Sequence, residues 1–173
     1  MDEENKLPAL WVFVWVVLFL FLILITLEVT TAHGFILAAD LWFENLLVSV
    51  RTPFLLHVFN WITLFGNAFV VIGIAGIALI FLLSSRVNRA YAAGLAATLI
   101  GAAATDYGMK AIVERARPSG LIPSLIETSF SFPSGHATAA MALYGFLAYL
   151  LCTLFPARKL VILTVALVVI GSV

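Results

Sequence analysis

Two short blocks of polar residues could support chemistry in this otherwise apolar chain. In the first, six residues separate Lys110 from Arg117, and Pro118 follows the arginine directly. In the second, the residues from Pro133 to His136 read Pro-Ser-Gly-His. A lysine offers a point charge and an arginine offers a bidentate fork, which together suit the oxygens of a phosphoryl group. Two cations, a Ser-Gly turn and a histidine therefore predict an oxyanion site with a proton donor.

The second block is expected to start a helix. Pro133 ends the incoming loop, Ser134 is a good N-cap residue, and Gly135 lets the backbone approach a neighbour closely. The N–H groups of this turn would then lie at a helix N-terminus, where the helix dipole favours an anion. His136, in the first turn, can give or take a proton near neutral pH.

The helix that carries Lys110 is expected to end just before Arg117, because a proline disfavours helical geometry in the residue that precedes it. The arginine would then be able to turn back toward the lysine. Two other charged residues could support the site. Asp106 lies one turn before Lys110 and is expected to hold that lysine rather than to act as a catalytic carboxylate. Arg115 could pair with a neighbouring glutamate or contact the substrate, and both interpretations stay open.

Each of these residues also has a purely structural interpretation. Lys110 alone would be interpreted as a side chain that extends from a helix end to the membrane surface. Ser134 alone would be an N-cap without a ligand, and Pro133 and Gly135 would be ordinary turn residues. Only the joint spacing of the two blocks favours an anion site.

The composition places these blocks in an integral membrane protein. Of the 173 residues, 64% are hydrophobic and 10% are charged, whereas a soluble domain carries about 25% charged residues. The formal net charge is zero, which argues against a nucleic-acid partner because no excess of basic residues is available to displace counterions. No His, Asp and Glu cluster has metal-ligand spacing, so no metal site is expected.

Hydropathy predicts an all-α, polytopic membrane helix bundle. Five spans are expected, and they cover Leu10–Leu27, Ile62–Leu83, Ala90–Val113, Ala137–Phe155 and the residues from Leu160 onward. The last would reach only about 21 Å, against about 30 Å of hydrocarbon. The chain is therefore interpreted as one membrane-embedded domain, residues 1–173, that is incomplete at its carboxyl end. An additional interfacial helix is expected near residues 35–52, where charged residues interrupt apolar ones at helical spacing.

The cations predict an orientation in the membrane. The short loops Ser84–Arg89 and Pro156–Lys159 each carry two cations and no acid, which places both on the cytoplasmic side. The amino terminus would then be cytoplasmic, and the polar loop at 114–132 would face the outside. Three cations at that face, Lys110, Arg115 and Arg117, run against the positive-inside trend. Anion binding would explain why they are there, although their acidic neighbours Asp106 and Glu114 could also neutralise them.

The two blocks resemble the first two signature motifs of the type 2 phosphatidic acid phosphatase superfamily, which also includes vanadium haloperoxidases and glucose-6-phosphatase. The first motif is Lys, six residues and Arg-Pro, as in Lys110–Pro118. The second is Pro-Ser-Gly-His, as in Pro133–His136. The helix layout is also similar, with five of the usual six spans. The resemblance implies that Lys110, Arg117, Ser134 and Gly135 bind phosphate, that His136 is the general acid, and that no metal or other cofactor takes part.

The resemblance further implies a third motif, Ser-Arg followed by a histidine and an aspartate. That histidine is the nucleophile of the family, and the aspartate orients it. The sequence ends at Val173, about where the motif would begin, so both residues are expected beyond Val173. His33 and His57 lie in no motif and are interpreted as interfacial residues. The stretch of 173 residues alone is therefore expected to be inactive or very weak.

The predicted function is hydrolysis of a lipid mono- or diphosphate at the outer face of a bacterial cytoplasmic membrane, through a phosphohistidine intermediate. Phosphatidic acid, phosphatidylglycerol phosphate and undecaprenyl diphosphate stay open as substrates, and the expected partners are that substrate and the membrane lipids. Two alternatives also stay open: a non-catalytic relative that binds anionic lipid, and a phosphotransferase of the same superfamily. A channel or transporter is disfavoured, because the second to fourth spans hold few polar residues other than Ser and Thr.

Overall fold

The computed structural model describes residues 6–31, 35–85, 89–116 and 129–173. Within these ranges the regular structure is helical and contains no strand, which confirms the predicted all-α class. The helices are α1 Lys6–Thr31, α2 Phe35–Ser49, α3 Pro53–Thr63, α4 Ala68–Ser84, α5 Ala90–Val113, α6 Gly135–Leu154 and α7 Lys159–Ser172. A 3₁₀ turn, η1 (Leu64–Gly66), joins α3 to α4, and another at Pro156–Arg158 joins α6 to α7.

The helices form two compact units, Met1–Arg51 and Thr52–Val173. In the first unit α1 contacts α2. A helix thus occupies most of the range in which an interfacial helix was expected, and its position at a membrane interface stays a prediction. The second unit contains α3 to α7 and all the described candidate site residues. That the whole chain acts as one domain likewise stays a prediction.

The core of the second unit lies where α4, α5 and α6 meet. Each of these helices contributes one fully buried leucine: Leu82, Leu95 and Leu143. Alanines such as Ala75 and Ala92 are buried among them, and such small residues let helix backbones approach closely. This packing holds α5 beside α6, and so it fixes the distance between the two blocks of polar residues.

Two of the described helices are long and apolar enough to cross a membrane, α1 through Val12–Thr30 and α6 through Gly135–Leu154. A third candidate is bent, because Pro53–Gly66 and Ala68–Ser84 meet at 45°. α5 has 24 residues but is rich in Ala and Gly, which are less apolar than Leu or Ile, and α7 has 14 residues. The described helices therefore fit an integral membrane protein, and the count of five spans stays a prediction.

The segment predicted as the second span, Ile62–Leu83, is not one continuous helix, since the chain breaks at η1, and its crossing of the membrane stays a prediction. After the break Asn67 caps α4, because its side-chain oxygen accepts a hydrogen bond from the N–H of Phe69 at 2.9 Å. Hydropathy does not detect the break, because both flanks are apolar. Gly66 and Asn67 are the local sequence signal, since glycine is common where a helix ends and asparagine where one begins.

α5 ends at Val113, which is also the end of the predicted span. It ends earlier than expected from Pro118, which predicted a helix up to the residue before Arg117. Glu114 adopts the left-handed conformation with φ of 47°, and its N–H donates to the carbonyl oxygen of Lys110 at 3.0 Å. This is a common way to end a helix. Lys110 therefore lies in the last turn of α5, and the expected continuation of that helix to the residue before Arg117 is wrong.

Tyr144 on α6 links that helix to the break before α4, because its hydroxyl donates a hydrogen bond to the carbonyl oxygen of Phe65 at 2.9 Å. We expect Tyr144→Phe to lower stability by about 1 kcal/mol, the usual net value of such a bond. In detergent this would appear as a midpoint of thermal unfolding about 2–4 °C lower. Tyr149→Phe on the same helix is the control, since its hydroxyl finds no partner among the described residues. Equal midpoints for the two variants would contradict the link.

Candidate functional site

Two of the predicted phosphate-binding residues lie side by side, Lys110 on α5 and Gly135 at the start of α6. A Cβ atom placed on Gly135 would lie 3.1 Å from Nζ of Lys110. The ammonium therefore lies against the first turn of α6, and the absence of a side chain on Gly135 makes this approach possible. The structure thus brings the two sequence blocks into contact.

Ser134 is the N-cap of α6, as predicted. Its Oγ accepts a hydrogen bond from the N–H of Ala137 at 3.4 Å, and its carbonyl oxygen accepts one from the N–H of Thr138 at 2.9 Å. The N–H groups of Gly135 and His136 precede the first bonds within the helix. They lie at the positive end of the helix dipole, where an anion is favoured.

Asp106 forms the predicted pair with Lys110. Its Oδ2 lies 2.7 Å from Nζ, and the two side chains are only 13% and 14% exposed. Oδ1 is buried and has no hydrogen-bond donor among the described residues. The same carboxylate lies 3.5 Å from the Cβ position of Gly135. The first turn of α6 therefore contacts both members of the ion pair.

His136 lies beside η1. A Cβ atom on Gly66 would lie 2.8 Å from Cβ of His136 and 3.1 Å from its carbonyl oxygen, so a side chain at this position would force one element to move. The side chain of Val173, at the end of α7, also contacts Gly66. Sequence reasoning missed Gly66, although the glycine in Leu-Phe-Gly-Asn was a possible signal. The contact between Gly66 and His136 joins residues 70 positions apart, so it could not be found from local sequence.

Ser131 ties the start of the second block to the end of α5. Its N–H and its hydroxyl donate to the carbonyl oxygen of Arg115 at 2.9 and 3.0 Å. The hydroxyl also lies 3.1 Å from the carbonyl oxygen of Ala116. Sequence reasoning assigned Ser131 no role. Because Pro133 and the cap of α6 follow directly, these bonds help to hold the second block beside α5.

Several predicted residues are not placed at the site by these contacts. Arg117 and Pro118 lie outside the described residues, so their predicted roles stay predictions. Arg115 contributes its backbone to the bonds with Ser131, and its contact with substrate also stays a prediction. His57 lies exposed on α3, and His33 lies outside the described residues.

A cavity of about 700 Å³ lies between α4, α5 and α6. Its polar part is lined by Asp106, Tyr107, Ser129, Gly135 and His136. The larger part is apolar and is lined by residues that include Val71, Ile72, Ala75, Leu79, Leu99 and Ala102. Along α4 the lining extends from Ala68 to Leu79, about 16 Å of helix. The cavity therefore joins a polar end, at Asp106 and His136, to a long apolar body.

Comparison with known proteins agrees with this arrangement. Residues 90–173 match the family model of the PAP2 superfamily, a segment that contains both sequence blocks. The crystal structure of a transmembrane PAP2-type phosphatidylglycerolphosphate phosphatase from Bacillus subtilis is similar to this structure, with a TM-score of 0.72 and 25% sequence identity. The similarity covers 88% of this chain and 78% of that one. No curated protein matches the chain. The predicted resemblance to the superfamily is confirmed.

The contact at Gly135 predicts the effect of adding a methyl group. We expect Gly135→Ala to keep the fold, because alanine is a good helix former. The new methyl group would displace Nζ of Lys110 by a few tenths of an ångström, and a displacement of about 1 Å can cost about 100-fold in rate. In the intact protein, phosphate release from a lipid phosphate should therefore fall about 3- to 10-fold. Gly145→Ala on the same helix is the control, since its Cβ would meet only Met141 Sδ at 4.0 Å. Unchanged kcat/KM in Gly135→Ala would contradict the contact.

The contact at Gly66 predicts a larger effect on stability. Gly66→Ala adds a methyl group where His136 and Val173 already lie, and overpacking of this kind costs about 1–3 kcal/mol. Gly73→Ala on α4 is the control, because its Cβ would have no atom within 4 Å and alanine favours a helix. In detergent, the midpoint of thermal unfolding of Gly66→Ala should be well below that of Gly73→Ala. If the two variants unfolded at the same temperature, Gly66 would not pack against His136 as described.

Proposed function

We propose that this protein is a membrane phosphatase that hydrolyses the phosphate ester or anhydride of a lipid. One observation carries the proposal: Nζ of Lys110 lies against the first turn of α6, and Gly135 and His136 of that turn line the polar end of a largely apolar cavity. An ammonium of low exposure, a helix N-terminus and a histidine are the parts that phosphoryl transfer requires. The PAP2 family match and the phosphatase structure from Bacillus subtilis support the same reaction class.

The phosphate would lie at the N-terminus of α6. Lys110, Arg117, and the N–H groups and hydroxyl of the Ser134–Gly135 turn would bind its oxygens. Nζ of Lys110 and the first turn of α6 are already in contact, so these donors can stabilise the charge that builds up on the oxygens in the transition state with little reorganisation. The polar end of the cavity is flanked by apolar walls, and a low dielectric strengthens such interactions.

The nucleophile would be a histidine that follows Val173. The side chain of Val173 contacts Gly66, which in turn contacts His136, so a segment that continues from Val173 starts near the site. The imidazole nitrogen would form a bond to phosphorus while the bond from phosphorus to the lipid oxygen breaks. His136 would donate its proton to that leaving oxygen. Water would then attack phosphorus, the N–P bond would break, and His136 would take the proton from that water.

The apolar body of the cavity supports a lipid as substrate. Its walls of Val, Ile, Leu and Ala offer no polar groups to a sugar, whereas they match a hydrocarbon chain. Phosphatidylglycerol phosphate is the first candidate, because the similar structure from Bacillus subtilis is a phosphatidylglycerolphosphate phosphatase. Phosphatidic acid and undecaprenyl diphosphate are further candidates. The reaction would take place at the outer face of the cytoplasmic membrane, with the amino terminus in the cytoplasm.

The role of His136 can be tested in the intact protein in detergent. We expect His136→Ala to lower kcat for phosphate release about 10²–10⁴-fold, the usual contribution of a general acid. Phosphate release from phosphatidylglycerol phosphate, phosphatidic acid and undecaprenyl diphosphate would be measured side by side. His57→Ala is the control, because His57 is exposed on α3. If His136→Ala kept the wild-type rate on a lipid phosphate that the protein hydrolyses, His136 would have no part in the reaction.

A further inference from the structure

We propose that Asp106 is a positioning residue, which holds the ammonium of Lys110 against the first turn of α6. The inference rests on the proposed function, since that position matters only where a phosphate binds. Asp106 lines the cavity near the first turn of α6, but it would act through Lys110 and is not itself a catalytic residue. The pair is an i, i+4 contact on α5.

The direction of the Lys110 side chain needs an explanation. A lysine in the last turn of a membrane helix normally extends toward water at the nearer surface. The ammonium of Lys110 instead points back by one turn to Oδ2 of Asp106 and is 14% exposed. Helical side chains lean toward the N-terminus of their helix, which makes this contact sterically easy. Without the carboxylate, nothing among the described contacts would hold the ammonium in this place.

The ion pair and a bound phosphate are compatible. An ammonium has three N–H donors, and the bond to Asp106 uses one of them. The same nitrogen already lies 3.1 Å from the Cβ position of Gly135, at the N-terminus of α6. Among the contacts of the described residues, two donors therefore stay available for phosphate oxygens while the pair is intact. Asp106 thus orients Lys110 for the anion and does not need to release it first.

The second oxygen of Asp106 indicates a role other than surface charge pairing. Oδ1 is buried and accepts no hydrogen bond from the described residues. A carboxylate that served only stability would be better placed in water, because a buried acceptor without a donor is unfavourable. The buried position of Oδ1 is explained if the place of the Asp106 carboxylate is set by where Lys110 must be.

A double-mutant cycle in the intact protein tests whether Asp106 acts through Lys110. We expect Asp106→Ala to lower kcat/KM for a lipid phosphate and the affinity for inorganic vanadate about 10–100-fold, because the ammonium would move by an ångström or more. Asp106→Asn should recover part of this loss, since its amide oxygen can still accept from Nζ. In a Lys110→Ala background, Asp106→Ala should lower kcat/KM and the vanadate affinity by less than a further factor of about 2, because Lys110, through which Asp106 acts, is already gone. Wild-type kinetics in Asp106→Ala, or the same loss in both backgrounds, would overturn the proposal.

Chemical labelling tests the position of Lys110 without any need for turnover. Lys6, Lys110 and Lys159 are the lysines of these 173 residues, so their peptides are easily distinguished by mass spectrometry. A membrane-impermeant amine reagent should modify Lys110 several-fold faster in Asp106→Ala than in the wild-type protein. Thr105→Ala, at the neighbouring exposed position of α5, should leave the rate unchanged. Equal labelling of Lys110 in Asp106→Ala and the wild type would overturn the proposal. Failure of the wild type to hydrolyse any lipid phosphate would overturn the proposed function instead.

Discussion

The close approach of α5 and η1 to the first turn of α6 is the contact on which the site depends. Gly135 allows Lys110 to reach the N-terminus of α6, and Gly66 allows the 3₁₀ turn to lie against His136. A side chain at either glycine would push these elements apart. The buried leucines of α4, α5 and α6 and the bonds of Ser131 all act to keep this contact in place.

The electrostatics of the site follow from that contact. The N-terminus of α6 carries a partial positive charge, and the ammonium of Lys110 lies beside it. Two positive groups this close would repel each other in apolar surroundings, and the carboxylate of Asp106 offsets the repulsion at 2.7 Å from Nζ. The contacts of Lys110 with Asp106 and with the first turn of α6 are formed in the absence of phosphate. Binding would therefore require little movement of these residues, which is what preorganised stabilisation of a transition state demands.

Much of the fold could be predicted from the sequence, because membrane helices are specified by local hydropathy and by their capping residues. α5 agrees with its predicted span at both ends, and α6 starts two residues before the predicted Ala137 because Ser134 caps it. The break at η1 could not be predicted from hydropathy, since a short turn of Leu-Phe-Gly between apolar helices hardly changes the local average.

The candidate site was predictable only in part, for a physical reason. Lys110, Ser134, Gly135 and His136 could be found because their types and spacing are informative. Gly66, Ser131 and Tyr144 act through backbone contacts with distant residues, and such contacts depend on the packing of the whole unit rather than on any local pattern. The predicted pairing of Asp106 with Lys110 is present, but its burial follows from the position of α6, which the sequence does not reveal.

The most direct test of the account is an experimental structure of the intact protein with bound vanadate, which mimics a phosphoryl group in transfer. We expect vanadium to lie at the N-terminus of α6, with oxygens in hydrogen-bond range of Nζ of Lys110 and of the N–H of Gly135. His136 would face one apical oxygen. Vanadate bound away from Lys110 and His136 would show that phosphate does not bind at the N-terminus of α6.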